Sequence, residues 1–410
     1  MASADGDDSV SGACERAGAA RPWGGRGYGA ERRHGAGAAF RSVGGAWFDD
    51  GMDTSRGLRN ETQTVWATAL CLALGTAAGL VVLQGSPRAL TGPGSLSQPI
   101  AVIAGIVAAA AFVVSTVQHR RGETDRMPPW QTAISHASAV ALTVAFAAVT
   151  AFGVLLGGLV FGAGLHDFTT PALGGALIAG VASAIGGRFA YTAGVGIRTR
   201  DLATLLFGFL TIGTLFAMAT AADPLWWQQN FSQLGLGARG WAFNGTLVVA
   251  GLLFATVGAY IGRDLHRLRG DRALRGIAVV VALWGATGLA LAVVGFVPIE
   301  LNRVVHWIAA IGTLVLFALA AAMSTKALPG PPRALLVATI GLGVLLVAAV
   351  LLHIPVRLYS STGLEAIAVG LGLVWMTTFV RVLAVLVPDA PRVSARATLW
   401  RGEGDARRDR

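Results

Sequence analysis

A succession of apolar runs, each about twenty residues long, constrains this chain more than any other feature of its sequence. About 20 helical residues, rising ~1.5 Å each, cross a hydrocarbon core of about 30 Å. Unbroken apolar runs of this length are typical of membrane helices, which satisfy their own backbone hydrogen bonds inside lipid. The sequence therefore predicts an all-α, polytopic transmembrane helix bundle of about ten helices, at residues 62–83, 99–117, 135–162, 171–190, 202–222, 241–262, 276–298, 302–324, 334–353 and 363–387.

The overall composition supports a membrane protein. Hydrophobic residues make up 54% of the chain and charged residues only 13%, against about 25% charged residues in soluble domains. The net charge of +10 could indicate a nucleic-acid partner, but the basic residues are scattered over loops and termini instead of forming a compact basic domain. We therefore expect the lipid bilayer, and no nucleic acid, as a partner.

The two cysteines give no sign of metal or redox chemistry. Cys14 lies in the polar N-terminal segment and Cys71 in the first apolar run. Neither has a partner at the spacing of a zinc site or a disulfide framework. We predict no cofactor and no metal site.

The basic loop residues predict the orientation of the bundle, because short loops rich in Arg or Lys stay in the cytoplasm. Twelve basic residues fall in loops on the side of the N-terminus: Arg120, Arg121, Arg126, Arg198, Arg200, Arg263, Arg267, Arg269, Arg272, Arg275, Lys326 and Arg333. The opposite loops hold four, namely Arg88, Arg239, Arg303 and Arg357. This bias predicts cytoplasmic N- and C-termini in a plasma-membrane protein, and the high content of Ala, Gly and Arg is typical of a bacterial GC-rich genome.

The pattern along the chain predicts four regions. Residues 1–60 lack an apolar period and are expected to form a disordered cytoplasmic tail, within which Met52 is an alternative translation start. A four-helix transmembrane region at 61–192 precedes a six-helix transmembrane bundle at 201–388. Residues 389–410 form a basic cytoplasmic tail.

One polar segment, DPLWWQQNFSQLG at residues 223–235, joins the fifth and sixth runs. The predicted orientation places it outside the membrane. Tryptophan favours the headgroup region, so Trp226 and Trp227 are expected either to anchor the segment there or to cover a site as an aromatic lid.

Several polar residues are predicted to lie at the same outer level, each near the end of a different helix. A charge at mid-membrane costs about 2.5–3.5 kcal/mol on insertion scales, so polar residues in spans invite a functional explanation. We predict an outward-facing polar pocket formed beneath Trp226 and Trp227 by Asp223, Asn230, Ser232, Asn244, Arg303, His306, His353, Arg357 and Glu365. The alternative is that each residue is an independent interfacial group, because a polar side chain near a helix end reaches water at little cost in free energy.

The sequence FSQLG at 231–235, the following WAFNGTLVVAGLLFATVGAY with Asn244, and His306 at the head of a helix resemble an integral-membrane family catalogued as domain of unknown function 998. That family resembles the FRAG/DRAM/Sfk-like membrane proteins. The resemblance covers about residues 202–387 and departs from the common serine-alanine-leucine-glycine wording at Gln233. The resemblance implies a six-helix bundle, and the links of the eukaryotic relatives to lipid remodelling suggest a function that involves lipids. The first four spans resemble no family in this way.

The leading hypothesis is that the six-helix bundle recognises a lipid headgroup or a small solute, with His306 and Glu365 as polar contacts and Arg303 and Arg357 as anion partners. A proton-coupled transporter using His306 is one alternative. A lipid-modifying enzyme with His306 as general base and Ser232 as nucleophile is another. Haem ligation by His306 and His353 lacks a second histidine pair. The sequence favours binding over catalysis and assigns no catalytic residue.

Overall fold

The structure is a computed structural model that describes residues 36–119 and 129–387. Its helices are α1 (Ala36–Val82), α2 (Ser97–His119), α3 (Pro129–Gly164), α4 (Ala172–Gly196), α5 (Thr199–Ala219), α6 (Trp241–Arg269), α7 (Leu274–Phe296), α8 (Arg303–Ala327), α9 (Arg333–His353) and α10 (Ser361–Leu386). Two short strands, β1 (Arg88–Ala89) and β2 (Thr169–Thr170), pair antiparallel and join the α1–α2 and α3–α4 connections.

Ten helices in the described part of the chain are long and apolar enough to cross a membrane. The predicted all-α polytopic bundle is therefore confirmed, and each predicted apolar run coincides with one of these helices. The direction in which the bundle is inserted stays a prediction from the loop charges.

The chain divides into two units, residues 1–58 and 59–410. In the first unit, the described residues belong to α1, which begins at Ala36. Residues 36–60 of the expected N-terminal tail lie within the bounds of α1, and residues 36–82 contain no proline, which would interrupt a helix. Residues 1–35 and the predicted basic tail at 389–410 lie outside the described residues.

Helices α6 and α7 form the tightest pair in the second unit. A Cβ added to Gly288 would overlap the carbonyl oxygen of Gly251, and one added to Gly251 would overlap the carbonyl oxygen of Gly288. The close approach of the two helices continues at Gly258 of α6, where an added Cβ would overlap Trp284 of α7. Small residues at a membrane-helix interface let two backbones approach closely and gain dispersion energy.

An aromatic cluster fills the middle of the C-terminal six helices. Trp284 is completely buried, stacks against Phe254 at 6.0 Å between ring centroids and meets Phe317 edge-on at 5.7 Å. Its indole N–H donates to Ser324 at 3.0 Å, and that of Trp375 donates to Thr339 at 3.0 Å. Each buried indole thus has a partner for its polar group, as a low-dielectric interior requires.

The first four helices are joined to the last six mainly through α3. The Phe152 ring on α3 stacks with Trp241 at the start of α6, with centroids 5.8 Å apart and planes 15° apart. It also contacts Phe216 and Phe209 of α5 at 5.6 and 6.0 Å. A continuous apolar core therefore crosses the boundary between the two predicted transmembrane regions.

The two ends of the C-terminal six helices are fixed by different groups. At the end that carries the α6–α7 connection, Asp264 is 7% exposed and accepts a hydrogen bond from the Thr199 hydroxyl. The guanidinium of Arg269 donates to the Ala327 carbonyl at 3.0 Å. We call the other end, which carries the α5–α6 connection and the first turns of α6, α8 and α10, the connector end.

Candidate functional site

The α5–α6 connection folds into three short 3-10 helices, Trp226–Gln228, Phe231–Gly235 and Gly237–Arg239. At its beginning, Asp223 Oδ1 accepts the backbone N–H of Leu225 at 2.8 Å, a local bond typical of turns that contain Asp. At its end, Gly237 has a φ of +65°, which glycine adopts at no steric cost. Turn chemistry therefore explains why the apolar chain breaks here.

Ser232 and His306 form the central contact of the connector end. The Ser232 Oγ lies 2.8 Å from Nε2 of His306. The other ring nitrogen, Nδ1, lies 2.8 Å from the Val297 carbonyl oxygen at the end of α7. His306 is only 3% exposed and Ser232 is half-buried, so both nitrogens of a covered imidazole are hydrogen-bonded.

Glu365 holds the same 3-10 helix from the side of α10. Its Oε2 accepts the backbone N–H of Phe231 at 2.7 Å. A bond from an N–H to a charged acceptor contributes about 1.5–3 kcal/mol, more than a neutral one. Because Glu365 is half-buried, this bond is partly shielded from competing water.

Asn244 holds the far end of the 3-10 helix from α6. Its Nδ2 donates to the Gly235 carbonyl oxygen at 2.9 Å. A Cβ at Gly235 would lie 2.5 Å from Asn244 Oδ1, so any other residue at the end of FSQLG would displace the Asn244 amide from this contact. Three helices, α6, α8 and α10, thus bind consecutive parts of Phe231–Gly235.

Two buried polar side-chain atoms of the connector end have no hydrogen-bond partner: Oδ1 of Asn230 and Oγ1 of Thr362. Asn230 immediately precedes Phe231, whose N–H is bonded to Glu365. Thr362 is 8% exposed and lies three residues before Glu365 on α10, which places the two on one helix face. An unpaired buried polar group costs about 1–3 kcal/mol, so these atoms need a partner.

Sequence reasoning did not select Thr362 or the Val297 carbonyl. Thr362 is one of many threonines in the spans, and its only sequence signal is the three-residue spacing to Glu365. The Val297 carbonyl could not be recognised in the sequence, because every residue has a backbone carbonyl.

The two tryptophans of the connection have different environments. Trp226 is half-buried and its ring lies 5.4 Å from that of Phe231. Trp227 is 52% exposed. Trp226 therefore lies against the 3-10 helix that the three helices hold, whereas Trp227 is available to the surroundings.

The other predicted site residues do not join this contact network. Asp223, Arg303 and Arg357 are exposed, and Arg357 has a φ of +53° in the α9–α10 connection. His353 Nδ1 lies 3.0 Å from the Tyr359 carbonyl oxygen, and its ring stacks on Tyr359 at 5.8 Å. The structure thus brings Trp226, Asn244, His306 and Glu365 onto the 3-10 helix that contains Ser232 and directly follows Asn230.

The hydrogen bonds of His306 do not favour the haem alternative, since an axial ligand needs a ring nitrogen free for iron, and both nitrogens of His306 are engaged. Among the described residues, no group of three or more His, Cys, Asp or Glu is arranged to hold a metal ion.

A cavity of about 1240 Å³ lies in another part of the molecule, along α3, α4 and α5. Its lining includes Gly153, Gly157 and Leu177, together with Arg188, whose guanidinium is paired with Glu61 at 2.8 Å. None of the predicted site residues lines it. The predicted polar site and this mainly apolar cavity are therefore separate features.

Comparison with known proteins gives one match. The sequence model of a family described as "Protein of unknown function (DUF998)" matches residues 202–382, which is less than half of the chain and comprises most of α5 through α10. The resemblance noted in the sequence is thereby confirmed for the C-terminal portion. No curated protein matches the chain, and no solved structure does.

Proposed function

We propose that the connector end binds a molecule carrying a primary ammonium group, most simply the headgroup of phosphatidylethanolamine. The observation that carries the proposal is a pair of unpaired buried oxygens: Asn230 Oδ1, on the residue before the Phe231 that Glu365 binds, and Thr362 Oγ1, one helical turn before Glu365 on α10.

The chemistry of these three groups selects a donor. An amide oxygen and a carboxylate only accept hydrogen bonds, a hydroxyl can accept, and a primary ammonium offers three N–H donors. A carboxylate has about four acceptor sites, and the Phe231 N–H uses one of them. The three N–H donors of one ammonium group thus match the acceptors of Asn230, Thr362 and Glu365 in number and in kind.

Exposed charges at the same end suit the rest of a zwitterionic headgroup. Arg303 is the first residue of α8, and Arg357 lies in the α9–α10 connection. Both side chains are exposed. Arginine binds phosphate through paired N–H donors. In such a headgroup the positive ammonium would lie at the Glu365 carboxylate and the negative phosphate at the guanidinium of Arg303 or Arg357.

The depth and surroundings also fit a lipid. The residues lie in the first turns of membrane helices, the level at which headgroups meet the hydrocarbon. The exposed Trp227 has the character of an interfacial anchor. The loop charges predict that this end faces outward, and the predicted likeness to FRAG/DRAM/Sfk-like proteins agrees with work on lipids.

Lipid binding to the full-length protein, measured by native mass spectrometry, tests the proposal. Phosphatidylethanolamine should bind at least tenfold more tightly than phosphatidylcholine, whose quaternary ammonium has no N–H, and than phosphatidylglycerol, which has no amine. Free phosphoethanolamine distinguishes a lipid from a soluble ligand: it should compete with the lipid only at much higher concentration. Equal binding of the ethanolamine and choline lipids would overturn the proposal.

Variants identify the site within the same assay. Thr362→Val removes the hydroxyl at nearly constant volume, and we expect it to weaken binding of the ethanolamine lipid about tenfold, as for loss of one hydrogen bond to a charged group. Thr378→Val is the matched control, because Thr378 lies on the same helix, is half-buried and donates its hydroxyl to the Val374 carbonyl. Unchanged affinity in Thr362→Val would contradict the proposed site.

A further inference from the structure

We infer that Ser232 and His306 act as a nucleophile and its general base in acyl transfer from the lipid held at the connector end. The inference rests on the proposed lipid site and adds a reaction to it. It names a fatty-acyl ester of a glycerolipid as the substrate class.

The hydrogen bonds of His306 determine the direction of the Ser232 contact. A carbonyl oxygen can only accept, so Nδ1 must carry the hydrogen in its 2.8 Å bond to the Val297 carbonyl. In a neutral imidazole the other nitrogen, Nε2, then has no hydrogen and accepts. The Ser232 hydroxyl therefore donates to Nε2 across 2.8 Å, which is the tautomer and contact that a general base requires.

The Val297 carbonyl takes the place of the third group in a catalytic triad. A nucleophile and base within about 2.6–3.2 Å, with the base oriented by a further acceptor, is the general signature of an activated serine. Here the imidazole is held by two bonds and is 3% exposed. The base is thus fixed in orientation, while the half-buried Ser232 is the more accessible member of the pair.

The position of Ser232 relative to the ammonium site suits an acyl ester. Ser232 follows Phe231, whose N–H is bonded to Glu365, and lies two residues after Asn230. Two residues span at most about 7 Å, so the serine lies a short distance from the bound amine. In a glycerolipid the ester carbonyls lie a few bonds beyond the phosphate, at the boundary between headgroup and hydrocarbon.

The reaction balances without an oxidant or reductant. The Ser232 Oγ forms a bond to the ester carbonyl carbon, and its proton passes to His306 Nε2. The bond from that carbon to the glycerol oxygen breaks, and Nε2 returns the proton to the glycerol oxygen, which leaves a lysolipid and an acyl-serine. Water or a lipid hydroxyl then attacks the acyl carbon, gives its proton to Nε2, and releases Ser232, which regains its proton.

A fluorophosphonate probe tests the nucleophile directly, because it phosphonylates activated serines. The full-length protein in bilayer discs containing phosphatidylethanolamine should be labelled, and peptide mass spectrometry should place the label on Ser232. Ser361→Ala is the control, since Ser361 is a half-buried serine at the same end and its loss should leave labelling unchanged. Absence of label on Ser232 in the unmodified protein would overturn the inference, and this result needs no variant to fold.

Two variants separate catalysis from packing. His306→Gln can still accept a hydrogen bond from Ser232 but is a poor base, so labelling and release of fatty acid from phosphatidylethanolamine should fall at least 100-fold. A merely structural His306 would leave both rates unchanged in a variant with wild-type melting temperature. Ser232→Ala should lose both activities while still binding phosphatidylethanolamine. If the unmodified protein binds this lipid but is not labelled, the reaction alone is refuted. If it is labelled but shows no preference for the ethanolamine headgroup, the proposed function alone is refuted.

Discussion

Replacing Glu365 by leucine tests whether the connector end holds the Phe231–Gly235 helix as the hydrogen bonds indicate. Leucine has a similar size but no acceptor, so the Phe231 N–H loses its 2.7 Å bond. A hydrogen bond to a charged group contributes about 1.5–3 kcal/mol. The two bonds from His306 and Asn244 remain, and we therefore expect the segment to open locally while the bundle stays folded.

Amide hydrogen exchange measures this opening. A tenfold change in an equilibrium corresponds to about 1.36 kcal/mol, so exchange in peptides covering residues 226–236 should accelerate about 10- to 150-fold in Glu365→Leu. The matched control is Glu300→Leu, which removes an exposed acid from the α7–α8 connection at the same end. Exchange in that control should equal that of the unmodified protein.

Two results would refute the reasoning. Unchanged exchange at 226–236 in Glu365→Leu would show that the bond contributes nothing to the connection. Equal acceleration throughout α6, α8 and α10 would show that Glu365 supports the whole bundle instead of one segment.

Three further outcomes are expected from other parts of the molecule. Gly288→Ala should lower the free energy of unfolding by about 1–3 kcal/mol through overpacking, whereas Gly285→Ala, where an added Cβ meets nothing within 4 Å, should not; melting curves that coincide would contradict the α6–α7 contact. In a background with both native cysteines replaced by serine, Gln229→Cys should react with an impermeant maleimide in intact cells and Arg198→Cys only after permeabilisation, the reverse pattern inverting the topology. Asp264→Ala should lower the melting temperature by several degrees, since it removes a buried acceptor, and an unchanged temperature would show that this acceptor is dispensable.

The membrane spans could be predicted from the sequence because hydrocarbon selects long apolar runs directly. Their polar extensions could not. The sixth run was predicted at 241–262, yet α6 continues to Arg269, because Arg and His residues beyond the apolar stretch still favour helix and interact well with its C-terminus. The apolar run indicates which part of a helix lies in the hydrocarbon, whereas backbone hydrogen bonding determines the residue at which the helix ends.

The candidate site shows a similar division. Depth along each helix was sufficient to predict that Asn244, His306 and Glu365 reach one level. The partners of Asn244 and Glu365 were not predictable, because they are backbone groups of Gly235 and Phe231 in a 3-10 helix that no side-chain pattern indicates. Thr362 was missed because a threonine inside a helix usually bonds the carbonyl four residues earlier, as Thr377 does with Leu373. In the first turn of α10 that helical carbonyl does not exist.

The packing of Phe152 against Trp241 bears on how such a protein is assembled from parts. The portion matched by the family model begins at residue 202, yet one flank of it is covered by a helix that precedes the match. A chain reduced to its last six spans would leave that aromatic flank to lipid or to another subunit. Because α3 belongs to the same chain, it meets this flank at a local concentration that no separate chain could reach.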